Sequence, residues 1–513
     1  MGFINHITRI ILPILSVLIL LSYIATGFYN TSYVHIHSRG VVSTTIIQQS
    51  EIYRSETIYV SVNLDYWYYN GVYGNWTKVA EILSQYNVTG ITGGFLYNYK
   101  AFFPTSYFGS QTGRDELALS IQAVRMFGLK QQVAFAVLYK SPKDEWKVKA
   151  WAPNGTLYTY NWLDPTNPEA REYILNLTRE LVTKYDFDVL ILDYLRYDGW
   201  EMPYSDTAKA MLEEYLNETI TNWPGDFAPY SPRWGEFLQW RIIPINTLVK
   251  EIYHLVKSIK PHIEVAAYTR QWWAHPYYII AEIGQDVTAW IKDGCLDRLT
   301  PMTYVKLPSS VNTSISNYLA YALAGPEGAI PIAPILAIRL FDENNTLLTV
   351  TEFAQLVAKA RELGCDGFLI NRYGGPGDNP YRPDAMLDIR PYLNALNLTE
   401  PAWTLGNITV QALSQNAVKI SWQTSKPTTS KVEYNTSKLF DAVHVWHNPD
   451  WYPGMYYWDM NYFPGITVEN TTLTTNHEII LNNLQPNTPY YFRIQSVDEN
   501  GITVTSKLYT FKL

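Results

Sequence analysis

Two patterns of hydrophobic and polar positions divide the chain. Up to about residue 400, short apolar runs alternate with segments in which apolar residues recur every three to four positions. Beyond that point apolar and polar residues alternate one by one, as in VKISWQT and YYFRIQSV. The first pattern predicts buried strands separated by helices, and the second predicts half-buried antiparallel strands.

Eight apolar runs in the first part predict strands. They are IYVSVNL (58–64), ITGGFLY (91–97), QVAFAVLY (132–139), VLILD (189–193), IEVAAYT (263–269), LDRLTPMTY (296–304), AIPIAPILAI (329–338) and CDGFLIN (365–371). Strands that alternate with helices pair in parallel, and eight such units close into a barrel. We therefore expect an α/β fold, a (β/α)8 or TIM barrel over residues 56–400. Within it, Asn167 before Pro168 predicts the start of a helix.

The second part, residues 401–513, predicts a β-sandwich that resembles fibronectin type III domains. Trp422 lies on an early strand, and the spacing of Leu484, Pro486 and Tyr490 is similar to that of a tyrosine corner. An aromatic-rich insert at 441–470 is atypical of that fold. For the insert, packing against the barrel, stacking on sugars and contact with another protein all stay open.

The N-terminal segment predicts export. Ile10–Phe28 is an uncharged stretch of nineteen residues that follows Arg9, long enough to span a bilayer. Residues 1–28 are thus expected to be a signal peptide or a transmembrane anchor, with a polar linker at 29–55. Asn-x-Ser/Thr glycosylation sequons occur at Asn30, Asn75, Asn87, Asn154, Asn176, Asn217, Asn312, Asn344, Asn397, Asn407, Asn435 and Asn470. We expect an extracellular glycoprotein, anchored at the cell surface through the N-terminal segment or secreted.

Composition narrows the classes of partner. A net charge of −8 and a pI near 5.7 leave no basic field for nucleic acid. Aromatic residues make up 15% of the chain, which suits a large core and also the stacking of rings on sugars. Cys295 and Cys365 each precede an apolar run and are expected to be buried free thiols. The chain has no Cys-x-x-Cys or His-x-x-x-His spacing, so we expect neither a metal site nor a cofactor.

One acid stands out because of its position. The apolar run from Val189 to Leu192 stops at Asp193, at the end of the fourth predicted strand. Active sites of (β/α)8 barrels lie at the C-terminal ends of the strands. The connection that follows is about 70 residues long, as expected of an excursion that builds the active-site face. Asp193 is therefore predicted to lie in the barrel mouth, although capping a loop or pairing with Arg196 is the alternative.

Several motifs around this strand resemble the glycosyl hydrolase-like families. They are YNWLDPTNPEAREYILNLTRELVTKYDFDVLILDYLRY, FLQWRIIPINTLVKEIYHLVKSIKPHIEVAAY and LDRLTPMTY, which together cover about residues 150–305. The resemblance implies a (β/α)8 glycoside hydrolase, with Asp193 as a catalytic residue by position. Val189 departs from the family's usual glycine, and Leu192 stands where some members carry another acid. A mechanism that uses two neighbouring acids at positions 192 and 193 is therefore not expected.

Hydrolysis of a glycosidic bond usually needs a second carboxyl group. The predicted ends of strands five and six carry no acid, which leaves Asp198, Glu201, Asp65, Asp342 and Glu343. We favour Asp198, because Tyr197 and Trp200 could shield it and raise its pKa. Asp65 has the advantage of following a barrel strand.

Aromatic and basic residues near the other strand ends are candidates for substrate binding. They are Tyr194, Arg196, Tyr197, Trp67, Arg270, Trp272, Tyr304 and Arg372. Core packing is the alternative role for the rings, and structural ion pairs are the alternative for the arginines.

These features predict an extracellular glycoside hydrolase that acts on a polysaccharide or glycan. Asp193 would be the nucleophile or general base, and a loop carboxylate the general acid. The alternative is a non-catalytic glycan-binding or scaffold protein that lost its second acid. A peptidase or esterase is disfavoured, since the chain has neither Gly-x-Ser-x-Gly nor a zinc motif.

Overall fold

The computed structural model describes most of the chain beyond the predicted linker. The described residues are 56–62, 75–97, 100–270, 276–311, 314–315, 318, 330–340, 346–363, 365–373, 389–396, 405–447, 455–499, 501, 503–506 and 508–513. The predicted signal peptide or anchor and the linker lie outside them. Within these ranges no helix combines the length and apolar character needed to cross a membrane.

The first part of the chain alternates strands and helices. Its strands are β1 (Thr57–Val62), β2 (Gly90–Tyr97), β3 (Lys100–Ala101), β4 (Lys130–Ala136), β5 (Lys147–Trp151), β6 (Leu157–Leu163), β7 (Val189–Asp193), β8 (Glu264–Thr269), β9 (Arg298–Thr303), β10 (Ile335–Ala337) and β11 (Gly367–Tyr373). Its helices are α1 (Trp76–Ser84), α2 (Glu116–Met126), α3 (Pro168–Lys184), α4 (Asp206–Leu216), α5 (Trp234–Trp240), α6 (Ile242–Ile259), α7 (Pro276–Ile283), α8 (Val287–Lys292), α9 (Val350–Glu362) and α10 (Arg390–Ala395). The predicted start of α3 is confirmed, because the Asn167 side chain accepts a hydrogen bond from the Ala170 N–H and Pro168 opens the helix.

Eight of these strands form a closed parallel barrel. They follow the order β1-β11-β10-β9-β8-β7-β4-β2, and β1 also pairs with β2 in parallel, with Tyr59 opposite Gly90. The predicted (β/α)8 fold is thus confirmed. The sequence pattern did not reveal β5 and β6, which form an antiparallel hairpin between β4 and α3. A bridge between Tyr139 and Trp162 brings this hairpin to the C-terminal end of β4.

The barrel interior fixes the direction in which Asp193 points. A buried cluster includes Val189 and Ile191 of β7 together with Tyr59, Ala134 and Leu369 from other barrel strands. Side chains two residues apart on a strand share a face. Asp193 therefore continues the inward-facing series at the C-terminal end of the barrel.

Within the described residues, the second part of the chain forms a six-stranded antiparallel sheet and a separate two-stranded hairpin. Its strands are β12 (Leu405–Ser414), β13 (Ala417–Asn435), β14 (Phe440–His447), β15 (Met455–Tyr462), β16 (Ile466–Leu481), β17 (Pro489–Val497), β18 (Thr503–Thr505) and β19 (Tyr509–Lys512). Strand β13 lies centrally, pairing with β12, β16 and β17. Trp422 is buried, and the Tyr490 hydroxyl accepts a hydrogen bond from the Gln485 N–H at 2.8 Å. The antiparallel domain is confirmed, and its likeness to fibronectin type III stays a prediction.

The aromatic insert forms a hairpin of β14 and β15 that packs on the barrel. Met455 and Tyr457 are buried in one cluster with residues of α5 and α7, and the rings of Tyr277 and Tyr457 lie 5.7 Å apart. Lys292 of α8 lies 4.2 Å from the ring centroid of Trp458. One of the three alternatives for the insert, packing against the barrel, is therefore observed.

Candidate active site

Asp193 lies half-buried at the mouth of the barrel. Its Oδ1 accepts a hydrogen bond from the backbone N–H of Tyr194 at 2.8 Å. Burial raises the pKa of the carboxyl group to about 6, against the lowering effects of that hydrogen bond and of the Arg196 charge. A carboxyl group with such a pKa can exist in either protonation state near neutral pH, as acid–base catalysis requires.

Three tyrosines surround this carboxyl group. Tyr268 and Tyr304 belong to the cluster in the barrel interior, and Tyr194 follows Asp193 in the chain. The pKa of each phenol is raised, first by burial and then by the charge of Asp193. Asp193 therefore interacts electrostatically with all three hydroxyls, which stay protonated and can donate hydrogen bonds.

A wall of aromatic rings stands beside Asp193. The ring of Tyr139 stacks on Tyr194 at 4.3 Å and meets Trp162 edge-on at 4.9 Å. Tyr97 packs on Tyr139 at 5.0 Å, and its hydroxyl lies 3.3 Å from that of Tyr194. The guanidinium carbon of Arg196 lies 5.2 Å from the centroid of the Tyr194 ring. Tyr97, Tyr139 and Tyr194 are half-buried and can offer ring faces and hydroxyls to a ligand, whereas Trp162 is buried behind them. Tyr194, which is predicted to bind substrate, belongs to this wall.

Asp198 lies on the loop after β7 and has two side-chain partners. It accepts a hydrogen bond from the Tyr160 hydroxyl of β6 and forms an ion pair of 3.3 Å with Arg196. Burial, followed by the charges of Glu201 and Asp198, raises the pKa of Tyr158, so both acids lie close to the β5–β6 hairpin. Arg196 therefore interacts electrostatically with both Asp193 and Asp198.

Tyr197 does not have the predicted role. Its side chain is fully buried, and its hydroxyl donates a hydrogen bond to the carbonyl of Arg241. The guanidinium of Arg241 lies 4.4 Å from the Tyr197 ring centroid. The prediction that Tyr197 binds substrate or shields Asp198 is wrong, because the long excursion between β7 and β8 folds over this ring.

Arg241 links two segments of the rim. Its side chain is fully buried and donates to the carbonyl of Ala281 at 2.9 Å, to that of Glu282 at 3.4 Å and to that of Gly199 at 2.6 Å. The N–H of Tyr197 also donates to the carbonyl of Ile283. The loop after β7 and the end of α7 are therefore held together at the mouth.

Glu282 is an acid near the barrel mouth that was not among the candidates predicted from the sequence. Arg270 directly follows β8, and its guanidinium forms an ion pair of 3.1 Å with Glu282 of α7. Glu282 is twelve residues further along the chain, so it could not be assigned to the end of strand five. The sequence signal for such an acid was Arg270, a cation at a strand end with no acid beside it in the chain. Arg270 was predicted to bind substrate or, alternatively, to form a structural ion pair, and the ion pair is observed.

Strand β11 contributes an amide to the mouth. Asn371 lies two residues beyond Leu369 of the barrel interior and is 7% exposed. Its Nδ2 has no hydrogen-bond partner among the described residues. Arg372 is half-buried, and its charge lowers the pKa of Tyr304, although burial of that phenol dominates. A buried amide donor without a partner is costly, so Asn371 is a candidate to bind a ligand atom.

Several predicted residues fall outside the described part of the chain. Asp65, Trp67, Trp272, Asp342 and Glu343 belong to this group, as do the sequons at Asn30, Asn312, Asn344 and Asn397. The remaining sequon side chains are exposed at Asn75, Asn87, Asn154, Asn217, Asn407 and Asn470 and half-buried at Asn176 and Asn435. Cys295 and Cys365 are buried free thiols, as predicted. In the described ranges no group of three or more His, Cys, Asp or Glu residues could hold a metal ion.

The closed barrel carries an acid at its C-terminal mouth, where the active sites of (β/α)8 enzymes lie. Residues 118–321 match the family model described as Glycosyl hydrolase-like 10, and residues 405–513 match that of the Purple acid Phosphatase, N-terminal domain. The resemblance to glycosyl hydrolase-like families is thus confirmed for the barrel.

Individual relatives match over shorter segments. An S-layer-related protein of Niallia circulans is 31% identical over 132 residues, which cover 23% of this chain and 8% of the relative. Glycosyl hydrolase DigH of Escherichia coli K12 is 26% identical over 153 residues, 28% of this chain and 31% of the relative. The chain thus spans less than a third of the length of these relatives.

A solved structure supports the fold. The PgaB (BpsB) glycoside hydrolase domain from Bordetella bronchiseptica superposes with a TM-score of 0.51 at 15% identity. The superposition covers 66% of this chain and 98% of that domain. At this identity the likeness concerns the barrel architecture.

Proposed function

We propose that the protein is an extracellular glycoside hydrolase that cleaves a polysaccharide or glycan at the barrel mouth. One observation carries the proposal: Asp193, with a pKa raised to about 6, ends an inward-facing strand series beside a wall of aromatic rings. The family match over residues 118–321 supports the same reaction class. The apolar segment Ile10–Phe28 and the sequons support export.

The electrostatics favour different catalytic roles for the two carboxyl groups from those expected from the sequence. A general acid must be protonated when the substrate binds, and burial favours the protonated form of Asp193. A general base or nucleophile must be ionised, and Asp198 is held in an ion pair with Arg196. We assign Asp193 as the general acid and Asp198 as its partner, with Glu282 as the second candidate.

The reaction class can be tested by the release of reducing ends from a panel of purified polysaccharides. The wild-type protein should release reducing ends from at least one polymer, and Asp193→Asn should release far fewer from the same polymer. If no polymer in a broad panel is cleaved, the enzymatic proposal is wrong and the non-catalytic alternative is favoured.

The pH dependence of kcat/KM should report the role of Asp193. As a general acid with a pKa of about 6, it loses its proton as the pH rises. We expect kcat/KM to fall roughly tenfold per pH unit above about pH 6. The measurement is initial rates from pH 4 to 9, with intrinsic fluorescence to verify that the protein stays folded. A value of kcat/KM that holds constant up to pH 8 would contradict the assignment.

The unpartnered amide of Asn371 should bind the substrate. Asn371→Ala removes a buried donor that has no acceptor among the described residues, and we expect kcat/KM to fall about tenfold, the effect of one hydrogen bond to the substrate. Asn416→Ala, an exposed change in the C-terminal domain, is the control and should leave kcat/KM unchanged. A purely structural role for Asn371 would instead lower the unfolding temperature and leave kcat/KM unaffected.

A further inference from the structure

The β14–β15 hairpin has two faces with different surroundings. Val445, Met455 and Tyr457 share the face that packs on the barrel helices. The neighbouring residues His444, Trp446, Tyr456 and Trp458 point to the opposite face, because side chains alternate along a strand. On that outer face, Trp446 is 55% exposed and Tyr456 is 45% exposed.

The outer face carries four aromatic rings in two directly opposed pairs. His444 is paired with Trp458, and Trp446 with Tyr456. The ring centroids are 5.0 Å apart in both pairs, and those of His444 and Tyr456 are 5.1 Å apart. Successive pairs on one face of a strand are separated by about 7 Å. We call these four residues the aromatic platform.

The chemistry of the platform suits a sugar. Each ring has a flat apolar face and a polar edge atom, which together match the C–H faces and hydroxyls of a pyranose. Lys292 lies over one side of Trp458 and adds an ammonium donor at the margin. The net charge of −8 provides no general attraction for polyanions, so an uncharged glycan fits better.

The position of the platform connects it to the barrel mouth. The inner face of the hairpin packs into a cluster that also includes Trp234 of α5 and Tyr277 of α7, with Trp200 packed against it. Trp200 lies on the loop that follows β7 and carries Asp198. The hairpin is therefore attached to the excursion that builds the active-site face.

We propose that the aromatic platform is a second glycan-binding site, which holds an extended, uncharged, β-linked polysaccharide beside the barrel mouth. Such a polymer presents flat pyranose faces in succession, as the paired rings require. This proposal rests on the proposed function, because the platform would hold the polymer that the barrel mouth cleaves. The polymer can bind to the platform without being cleaved.

The test measures binding to microcrystalline cellulose and chitin by depletion of the full-length protein from solution. All variants carry Asp193→Asn, so that cleavage of the polymer cannot alter the result. We expect the parent to bind at least one of the polymers, and Trp446→Ala with Tyr456→Ala to weaken binding about 10- to 100-fold. Tyr215→Ala removes a ring of similar exposure (47%) from α4 and should leave binding unchanged.

Two results would overturn the proposal. One is a parent protein that binds neither polymer, and the other is equal binding by the parent and the double variant. Both results are independent of hydrolysis, since reducing-end release by the protein with an intact Asp193 is measured separately. Weakened polymer binding together with full cleavage of short soluble oligosaccharides would separate the platform from the catalytic site.

Discussion

Asp193→Asn is expected to lower kcat/KM for glycan hydrolysis by about 10³-fold, because the amide cannot transfer a proton to the leaving oxygen. The substitution preserves the shape of the side chain, so its effect should come from chemistry alone. Asp186→Asn is the matched control, since Asp186 lies before the start of β7, at the opposite end of the barrel, and contacts the exposed His262 at 3.1 Å. It should stay within about twofold of the wild type. Equal reducing-end release by wild type and Asp193→Asn would exclude Asp193 from the mechanism.

The same variant should gain stability at high pH. The native pKa of Asp193, about 6, lies above its ordinary value of 3.8, so the folded protein retains a proton that the unfolded chain loses. The free energy of unfolding therefore falls as the pH rises through this window, and the full cost applies above about pH 6. We expect Asp193→Asn to be more stable than the wild type by about 1–3 kcal/mol at pH 8 and nearly equal to it at about pH 4. Urea unfolding at both pH values measures the difference.

Arg241→Met is expected to destabilise the barrel by about 3 kcal/mol or more, because it leaves buried carbonyl groups without donors. The lost bonds include those to Gly199 and Ala281, which belong to different segments of the rim. Activity should also fall, since the loop with Asp198 and the helix with Glu282 lose their common support. Thermal and urea unfolding, combined with kcat/KM, measure both effects.

A surface arginine provides the control for this substitution. Arg179 is exposed on α3 and its side chain bonds only to Asn176 among the described residues. Arg179→Met should change the free energy of unfolding by less than about 0.5 kcal/mol. If Arg241→Met has an equally small effect, Arg241 is not the support that its hydrogen bonds indicate.

The sequence was sufficient to predict the barrel and the place of Asp193 within it. Eight apolar runs separated by helical patterns specify parallel pairing, and Val189 to Leu192 specify a buried strand. The direction of Asp193 then follows from the alternation of side chains along β7. These features depend on local periodicity, which can be read from one sequence without knowledge of the fold. The start of α3 and the antiparallel C-terminal domain were also predicted correctly from the sequence.

Local periodicity could not predict the surroundings of Asp193. The β5–β6 hairpin, which supplies Trp162 to the aromatic wall and Tyr160 to Asp198, was not recognised because it interrupts an otherwise regular alternation of strand and helix. Tyr197 was expected to bind substrate or shield Asp198, but its neighbours Arg241 and Ile283 come from segments more than forty residues away in the chain. Which side of a loop faces the core depends on such distant segments.

The sequence by itself thus determined the fold class, the strand that carries the acid and the direction of its side chain. Tertiary structure alone decided the partners of that acid, the ion pair of Arg270 with Glu282 and the division of the aromatic hairpin into a buried and an exposed face. The physical reason is the range of the interactions. Strand and helix patterns arise between residues a few positions apart, whereas burial, ion pairing and a raised pKa depend on groups that meet only when the chain has folded.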